Sequence, residues 1–195
     1  MTAPPRPALP REVRIIGGEW KRSKLPVADT PGLRPTPDRV RETLFNWLGQ
    51  DLSGWRCLDA FAGSGALGFE AASRGASEVT LLERDRTLAR SLTASKERLK
   101  AANLRVENAD ALAWMARCGA DSFELIFLDP PFDAPLAVPA LNAAVRIVVP
   151  QGFVYLEMAE AVPPEALAAR GLSLHKHGRA GAVHFHLLQR VRSHS

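Results

Sequence analysis

Apolar positions along this chain follow two different periods. In RPTPDRVRETLFNWL (34–48), Val40, Leu44, Phe45, Trp47 and Leu48 share one face at 100° per residue, with Arg39, Thr43 and Asn46 opposite. That spacing predicts an amphipathic helix, with Thr36 as its cap, Pro37 at its first position and Asp38 at the positive end of its dipole. Arg41 falls among the apolar residues, where a charge needs a partner or a solvent-filled site. Ahead of this helix, VRIIGGEWKRSKLPV (13–27) reads as two short strands joined at Gly17-Gly18. From residue 55 the pattern changes to apolar runs alternating with helical periods. Strands are expected near 55–60, 78–83, 104–107, 123–128 and 152–158, and helices near 65–74, 86–101, 109–117, 137–148 and 163–170. Continuous apolar strands suit a sheet covered on both faces, and the alternation predicts a doubly wound α/β fold. LSLHKHG (172–178) and AGAVHFHLLQR (180–190) read as a last hairpin adding antiparallel strands at one edge.

Length and composition narrow the picture. At 195 residues, 46% hydrophobic and 24% charged, the chain fits one substantial globular core. MTAPPRPALP, with four prolines and no apolar run, reads as a disordered tail and neither a signal peptide nor a membrane anchor. Cys57 and Cys118 are far apart in apolar surroundings, which suits buried thiols in a reducing, cytoplasmic setting. The net charge of +4 is unevenly placed: residues 1–50 hold nine Lys/Arg against five Asp/Glu, and the remainder holds sixteen of each. A basic segment on a neutral body is a footprint for a polyanion, or simply a solvated basic face.

CLDAFAGSGALGFEAA (57–72) ends a strand on Asp59, turns through Gly63 and Gly65 and opens a helix. It contains a literal GxGxxG, and Glu83 follows at the end of the next strand, where a ribose would need an acceptor. Taken alone, that fits a dinucleotide. The acids argue otherwise: Asp59, Glu83, Asp110 and Asp129 stand at or just past four consecutive strand ends, where ligands of open α/β sheets bind. A pyrophosphate beside Asp59 would meet like charge. S-adenosylmethionine has no phosphate and carries a sulfonium and an ammonium, so the acid rim favours it. Gly63 and Gly65 would let the backbone approach the ligand, Glu83 would accept from the ribose, Asp110 from the adenine amine, and Asp59 would lie near the ammonium.

FELIFLDPPFD (123–133) ends its apolar run on Asp129-Pro130-Pro131-Phe132. The prolines hold Asp129 and Pro130 extended, fixing the directions of one carboxylate and one carbonyl. Two acceptors so fixed suit the exocyclic amine of a nucleobase, whose lone pair is delocalised until hydrogen bonding draws the nitrogen toward tetrahedral geometry. Phe132 offers a face for the base. His175, His177, His184 and His186 form two H-x-H pairs on strands, each expected on one face; no acid or cysteine joins them and no metal is expected.

DAFAGSGALG, LLERD, NADAL and FLDPPF together resemble the S-adenosylmethionine-dependent methyltransferases that modify exocyclic amines through a D/N-P-P-aromatic motif. VRIIGGEWKRSKLPV with PGLRPTPDRVRETLFNWL resembles, more narrowly, the RsmD family of bacterial guanine-N2 methyltransferases of small-subunit (16S) ribosomal RNA. The resemblance spans about residues 12–191. It implies a Rossmann-like class I methyltransferase: a mostly parallel seven-stranded α/β sheet, an antiparallel C-terminal strand, and an N-terminal β-hairpin projecting toward RNA. On that reading residues 1–11 are a tail, 12–50 an RNA-facing extension and 51–195 the methyltransferase domain. It implies catalytic roles for Asp129, Pro130, Pro131 and Phe132, and cofactor contacts from Asp59, Phe61, Gly63, Gly65, Glu83 and Asp110. RNA contacts would come from Trp20, Lys21, Arg22, Lys24, Arg34, Arg39 and Arg41. The expected partner is small-subunit ribosomal RNA within a partly or fully assembled 30S particle, bound by a monomer away from any membrane. Where the family commonly reads W-R-G-R-K-L, this chain has Trp20-Lys21-Arg22-Ser23-Lys24-Leu25, so a glycine is lost and a basic residue moves by one place. Three other readings are a nucleic-acid adenine-N6 methyltransferase, an NAD-dependent dehydrogenase, and a non-catalytic RNA-binding protein that retains the fold.

Overall fold

In the computed structural model, residues 12–192 are described; the expected tail, residues 1–11, lies outside them. The N-terminal hairpin pairs β1 (Glu12–Arg14) with β2 (Lys24–Pro26), and α1 follows over Asp38–Trp47. The main sheet is built from β3 (Arg56–Asp59), β4 (Glu78–Glu83), β5 (Leu104–Asn108), β6 (Phe123–Leu128), β7 (Val148–Met158), β8 (Leu172–Ala180) and β9 (Val183–Arg190). The helices between them are α2 (Ala66–Ser73), α3 (Arg86–Leu99), α4 (Ala111–Arg117), α5 (Ala137–Ile147) and α6 (Pro164–Ala168).

The strand order is β5-β4-β3-β6-β7-β9-β8, with β3 to β7 mutually parallel. The closing hairpin does not add its strands in chain order: β9 inserts antiparallel between β7 and β8, leaving β8 at the edge. β9 is rich in buried side chains, with Phe185, His186, Leu187 and Leu188 all enclosed, whereas β8 is largely exposed. The more apolar strand therefore takes the covered position. A shift of register between Leu174 and Lys176 separates His175, whose ring meets Phe153, from His177, which stacks on His184 and lies tilted against His186. The expected common face for His175 and His177 is broken by that bulge.

Two apolar layers cover the sheet. On one face Cys57, Leu81, Phe127, Tyr155 and Leu187 pack beneath α1, α2, α3 and the hairpin. On the other, Leu58, Leu82, Ile126, Val154 and Leu156 pack beneath α4, α5 and α6. Residues 12–50 thus share one core with the sheet, through Ile15, Leu25, Leu44 and Phe45. α2 is buried along its whole length, and small residues let it lie close: a Cβ on Gly68 would come within 2.0 Å of Leu81. α3 is capped by Asp85, whose carboxylate accepts from the Leu88 N–H, and carries Lys96 and Arg98 at its negative end.

The expected cap and turn of the N-terminal segment differ from what the fold adopts. α1 begins after Pro37 without a side-chain cap, because the Thr36 hydroxyl is turned inward to Glu157. Gly17-Gly18 does not close the hairpin; the turn is made at Trp20–Ser23, with Arg22 in the left-handed region at φ 74°. The two glycines instead let the chain press on α2, where a Cβ on Gly18 would stand 1.9 Å from the Ser73 carbonyl oxygen. Glu70 of α2 accepts from the Ile16 and Gly17 N–H groups at 2.9 Å, and the Ser73 hydroxyl oxygen accepts from the Trp20 N–H. The hairpin is therefore fastened along the body and does not project from it.

Candidate active site

The strand order reverses between β3 and β6, and the carboxyl ends of these strands open the crevice where doubly wound folds bind their ligands. Register decides which side chains meet there. Asp59 lies beside Phe127 and Leu81, and the pair Leu128–Leu156 sets Asp129 beside Glu157 one residue further on. Asp59, Asp129 and Glu157 thus share the sheet face that packs under α1 and α2, with Glu83 at the end of β4.

The glycine turn shapes one side. Gly63 and Gly65 have φ of 54° and 82°, which L side chains rarely adopt. The Gly63 N–H donates to Glu83 at 2.9 Å and the Gly68 N–H to Asp59 Oδ2 at 3.0 Å, so the turn and helix orient both acids. The second Asp59 oxygen, Oδ1, is buried without a partner. Burial drives the Asp59 carboxyl up to about 7, with Glu83 and Glu157 adding like charge while the Gly68 and Phe61 N–H groups oppose. An enclosed acceptor without a donor is costly to leave unmade, and it fits a ligand bearing a cationic N–H group. Leu33, from the segment ahead of α1, lies against Gly63, so that segment runs over the turn. Phe61 is half-buried against the opposite core layer, and Asp110 is exposed and caps α4, its Oδ1 accepting from the Ala113 N–H.

The Asp129-Pro130-Pro131-Phe132 turn forms the other side. Asp129 is half-buried, Pro130 buried, Pro131 exposed, and Phe132 57% exposed, leaving its ring free for a planar partner. The Asp129 carboxyl is held well above the usual range, first by burial, then by the charges of Glu157 and Asp59 and a hydrogen bond shared with Glu157; the Thr36 hydroxyl opposes this. Glu157, Thr36 and Tyr155 are the residues sequence reasoning missed. Glu157 is 6% exposed, and its Oε1 accepts from the Tyr155 hydroxyl at 2.7 Å and the Thr36 hydroxyl at 3.0 Å. A signal existed: VYLEM ends an apolar strand on an acid, as the other site strands do.

The expected RNA-facing residues divide. Arg34 and Arg39 are exposed and lie on either side in the chain of Thr36, whose hydroxyl reaches Glu157 in the crevice. Lys21 and Arg22 are exposed but sit at the far end of α2, and Lys24 pairs with Glu12 at 2.9 Å. Trp20 is buried edge-on against Phe69 and cannot stack on RNA. Arg41, 1% exposed, is likewise unavailable: it pairs with Glu70 and Asp38 and donates to the Thr36 and Arg14 carbonyls. Its place among apolar residues reflects a buried ion network. A groove of about 830 Å³ opens beneath the hairpin tip, but Glu19, Glu42 and Asp51 face Lys21 and Arg74 there, without a single charge sign to select a ligand. Among the described residues no cluster of three or more metal-ligating side chains occurs. His186 has both ring nitrogens engaged, one with the Leu156 carbonyl and one with the Val162 N–H.

A doubly wound sheet with an acid-rimmed glycine turn and a Pro-Pro turn presenting a carboxylate defines the class: an α/β methyltransferase fold built for a cationic nucleoside donor. Comparison with known proteins places it more narrowly. The profile of the family described as "Conserved hypothetical protein 95" matches residues 13–189, and the chain belongs to that family. It is 44% identical over 181 residues to "Ribosomal RNA small subunit methyltransferase D" of Escherichia coli K12, covering 92% of this chain and 90% of that protein. The protein of the same name from Haemophilus influenzae is 41% identical over 183 residues, covering 91% and 94%. The solved structure of Escherichia coli yhhF superposes with a TM-score of 0.81 at 40% identity, covering 93% of this chain and 99% of that one.

Proposed function

We propose that this protein is an S-adenosylmethionine-dependent methyltransferase that modifies the exocyclic N2 of a guanine in small-subunit ribosomal RNA. The observation that carries the reading is Asp129, held by two prolines at the end of β6 beside exposed Phe132 and the partnerless Asp59 oxygen. When bound, the cofactor supplies an electrophilic methyl group on a sulfonium. Asp59 Oδ1 would receive its ammonium, Glu83 its ribose hydroxyls and Asp110 its adenine amine, with Phe61, Gly63 and Gly65 forming the wall. Asp129 and the Pro130 carbonyl would accept the two N–H groups of the target amine, aligning its lone pair, while Phe132 stacks on the base. A target in paired RNA must first leave its stack. The names of the relatives support ribosomal RNA as the substrate class. The extension that carries Arg34 and Arg39 is the RNA-facing element, and a cytoplasmic monomer acting on a 30S particle fits this role.

The test is methyl transfer to small-subunit particles and to bare ribosomal RNA, with digestion to nucleosides and mass spectrometry. N2-methylguanosine is expected, and Asp129→Ala should lower turnover at least ~10³-fold while leaving S-adenosylhomocysteine affinity within about twofold. Appearance of N6-methyladenosine would replace the guanine assignment. Thermal stabilisation by NAD in place of S-adenosylhomocysteine would return the dehydrogenase reading.

A further inference from the structure

Glu157 gives the site a second carboxyl that the proposed alignment of the amine leaves without a task. It is buried, at 6% exposure, and lies beside Asp129 through the β6–β7 register. Two hydroxyl groups, from Tyr155 and Thr36, donate to its Oε1 and fix it as an acceptor. Two adjoining carboxylates, Glu157 buried and Asp129 half-buried, repel each other when both are charged, and a proton held on Asp129 relieves that repulsion. Other groups facing the pair are Asp59 from β3, Tyr155 and the Thr36 hydroxyl. On β9, Phe185 stands opposite Glu157, while His184 and His186 lie on the other face. Arg41 of α1 is committed to Glu70, Asp38 and the Thr36 and Arg14 carbonyls.

We propose that Asp129 and Glu157 form a proton-sharing pair that takes up the proton lost by the target amine, Asp129 touching the substrate and Glu157 acting as its positioning residue. The inference rests on the proposed amine methylation and assigns its proton. Asp129 carries the shared proton on the oxygen turned to Glu157 and presents the other oxygen to the amine. Once the nitrogen has gained its fourth bond, one N–H bond breaks, its electrons return to nitrogen, and the proton bonds to the presented Asp129 oxygen. The proton already between the carboxyls passes to Glu157. The positive charge on nitrogen and the single negative charge on the pair vanish together, and no external base is needed. Opening of the site returns the proton to solvent.

Glu157→Gln tests this, because its amide oxygen still accepts from Tyr155 and Thr36 but cannot take a proton. Infrared titration of the ligand-free protein, with Asp129→Asn identifying the band, should show a protonated Asp129 carboxyl at neutral pH whose midpoint moves to lower pH in Glu157→Gln. With small-subunit RNA and S-adenosylmethionine, single-turnover rate should fall on the order of 10²-fold at unchanged KM for RNA. The rate should then rise with buffer-base concentration, which leaves wild type unaffected. An unmoved midpoint, or a variant at full rate without buffer dependence, would overturn the proposal. Should Glu157→Gln not fold, the wild-type spectrum decides: no protonated Asp129 near neutrality sinks it, and such a band supports it. A wild-type protein that methylates no RNA would remove the proposed function, while the infrared titration would still judge the pair.

Discussion

Asp59 is where burial and charge oppose each other most directly in this molecule. Its folded carboxyl is pushed up to about 7 from the ordinary value near 3.8, because desolvation outweighs the Gly68 hydrogen bond and the nearby Phe61 N–H. Between those values the folded state binds more protons than the unfolded state. Ligand-free stability attributable to this group is therefore fully present below pH ~4 and is lost as pH rises toward ~7, by a few kcal/mol. Urea midpoints should fall from pH 5 to pH 8, and Asp59→Asn should flatten that fall. Asp129, raised in the same direction, leaves a residual slope. Binding runs the opposite way: S-adenosylhomocysteine, which retains the ammonium, should bind more tightly as Asp59 ionises. Calorimetry across the same range should show this gain in wild type and its absence in Asp59→Asn. Cys57, by contrast, is a buried thiol pushed up by desolvation, inert and part of the core.

At the scale of elements, Glu70 joins three of them. From inside α2 it receives two backbone N–H groups of the hairpin, Arg41 of α1 and Arg74 of its own helix. Removing one member of a buried ion network leaves the others uncompensated, so Glu70→Ala should cost about 3–5 kcal/mol in urea unfolding. Limited proteolysis should then cut within residues 15–24, which the network fastens. Glu70→Gln, which still offers one oxygen to the hairpin, should lose less. α1 is coupled to the site by the same arrangement: Arg41 holds the Thr36 carbonyl while the Thr36 hydroxyl reaches Glu157. Thr36→Val should therefore lower turnover more than stability, as measured by the ratio of kcat change to shift in urea midpoint. The expected helix from 34–48 is present, yet Thr36 serves the crevice because β7 delivers an acid within its reach.

Over the whole molecule, four of the exposed basic residues expected to meet RNA fall into two groups. Arg34 and Arg39 stand on either side of Thr36, whose hydroxyl reaches Glu157 in the crevice, whereas Lys21 and Arg22 lie where α2 terminates. If RNA enters at the mouth, Arg34→Glu with Arg39→Glu should reduce affinity and flatten the salt dependence by about two counterions. Reversal at Lys21 and Arg22 should have less effect, unless a particle-sized substrate wraps the flank. Filter binding against salt, with bare RNA and with particles, separates these outcomes. Among the described residues no helix is long and apolar enough to cross a membrane.

Local pattern carried the alternation of strands and helices, the glycine turn, the acids at the strand ends and the Pro-Pro turn, since each depends on neighbours within a few residues. LDPPF and LDAFAGSG announce chemistry because dihedral limits and strand ends are short-range properties. Long-range contacts decided the rest. Only the register of β6 against β7 sets Glu157 beside Asp129, and only packing of the hairpin on α2 buries Trp20 and Arg41. The insertion of β9 inside β8 likewise turned on which strand had more apolar surface to cover, a comparison between segments that no local window contains. An arginine and a tryptophan read the same in sequence whether they meet RNA or a core. Tertiary structure distinguishes them because burial and charge pairing are properties of what folds against them.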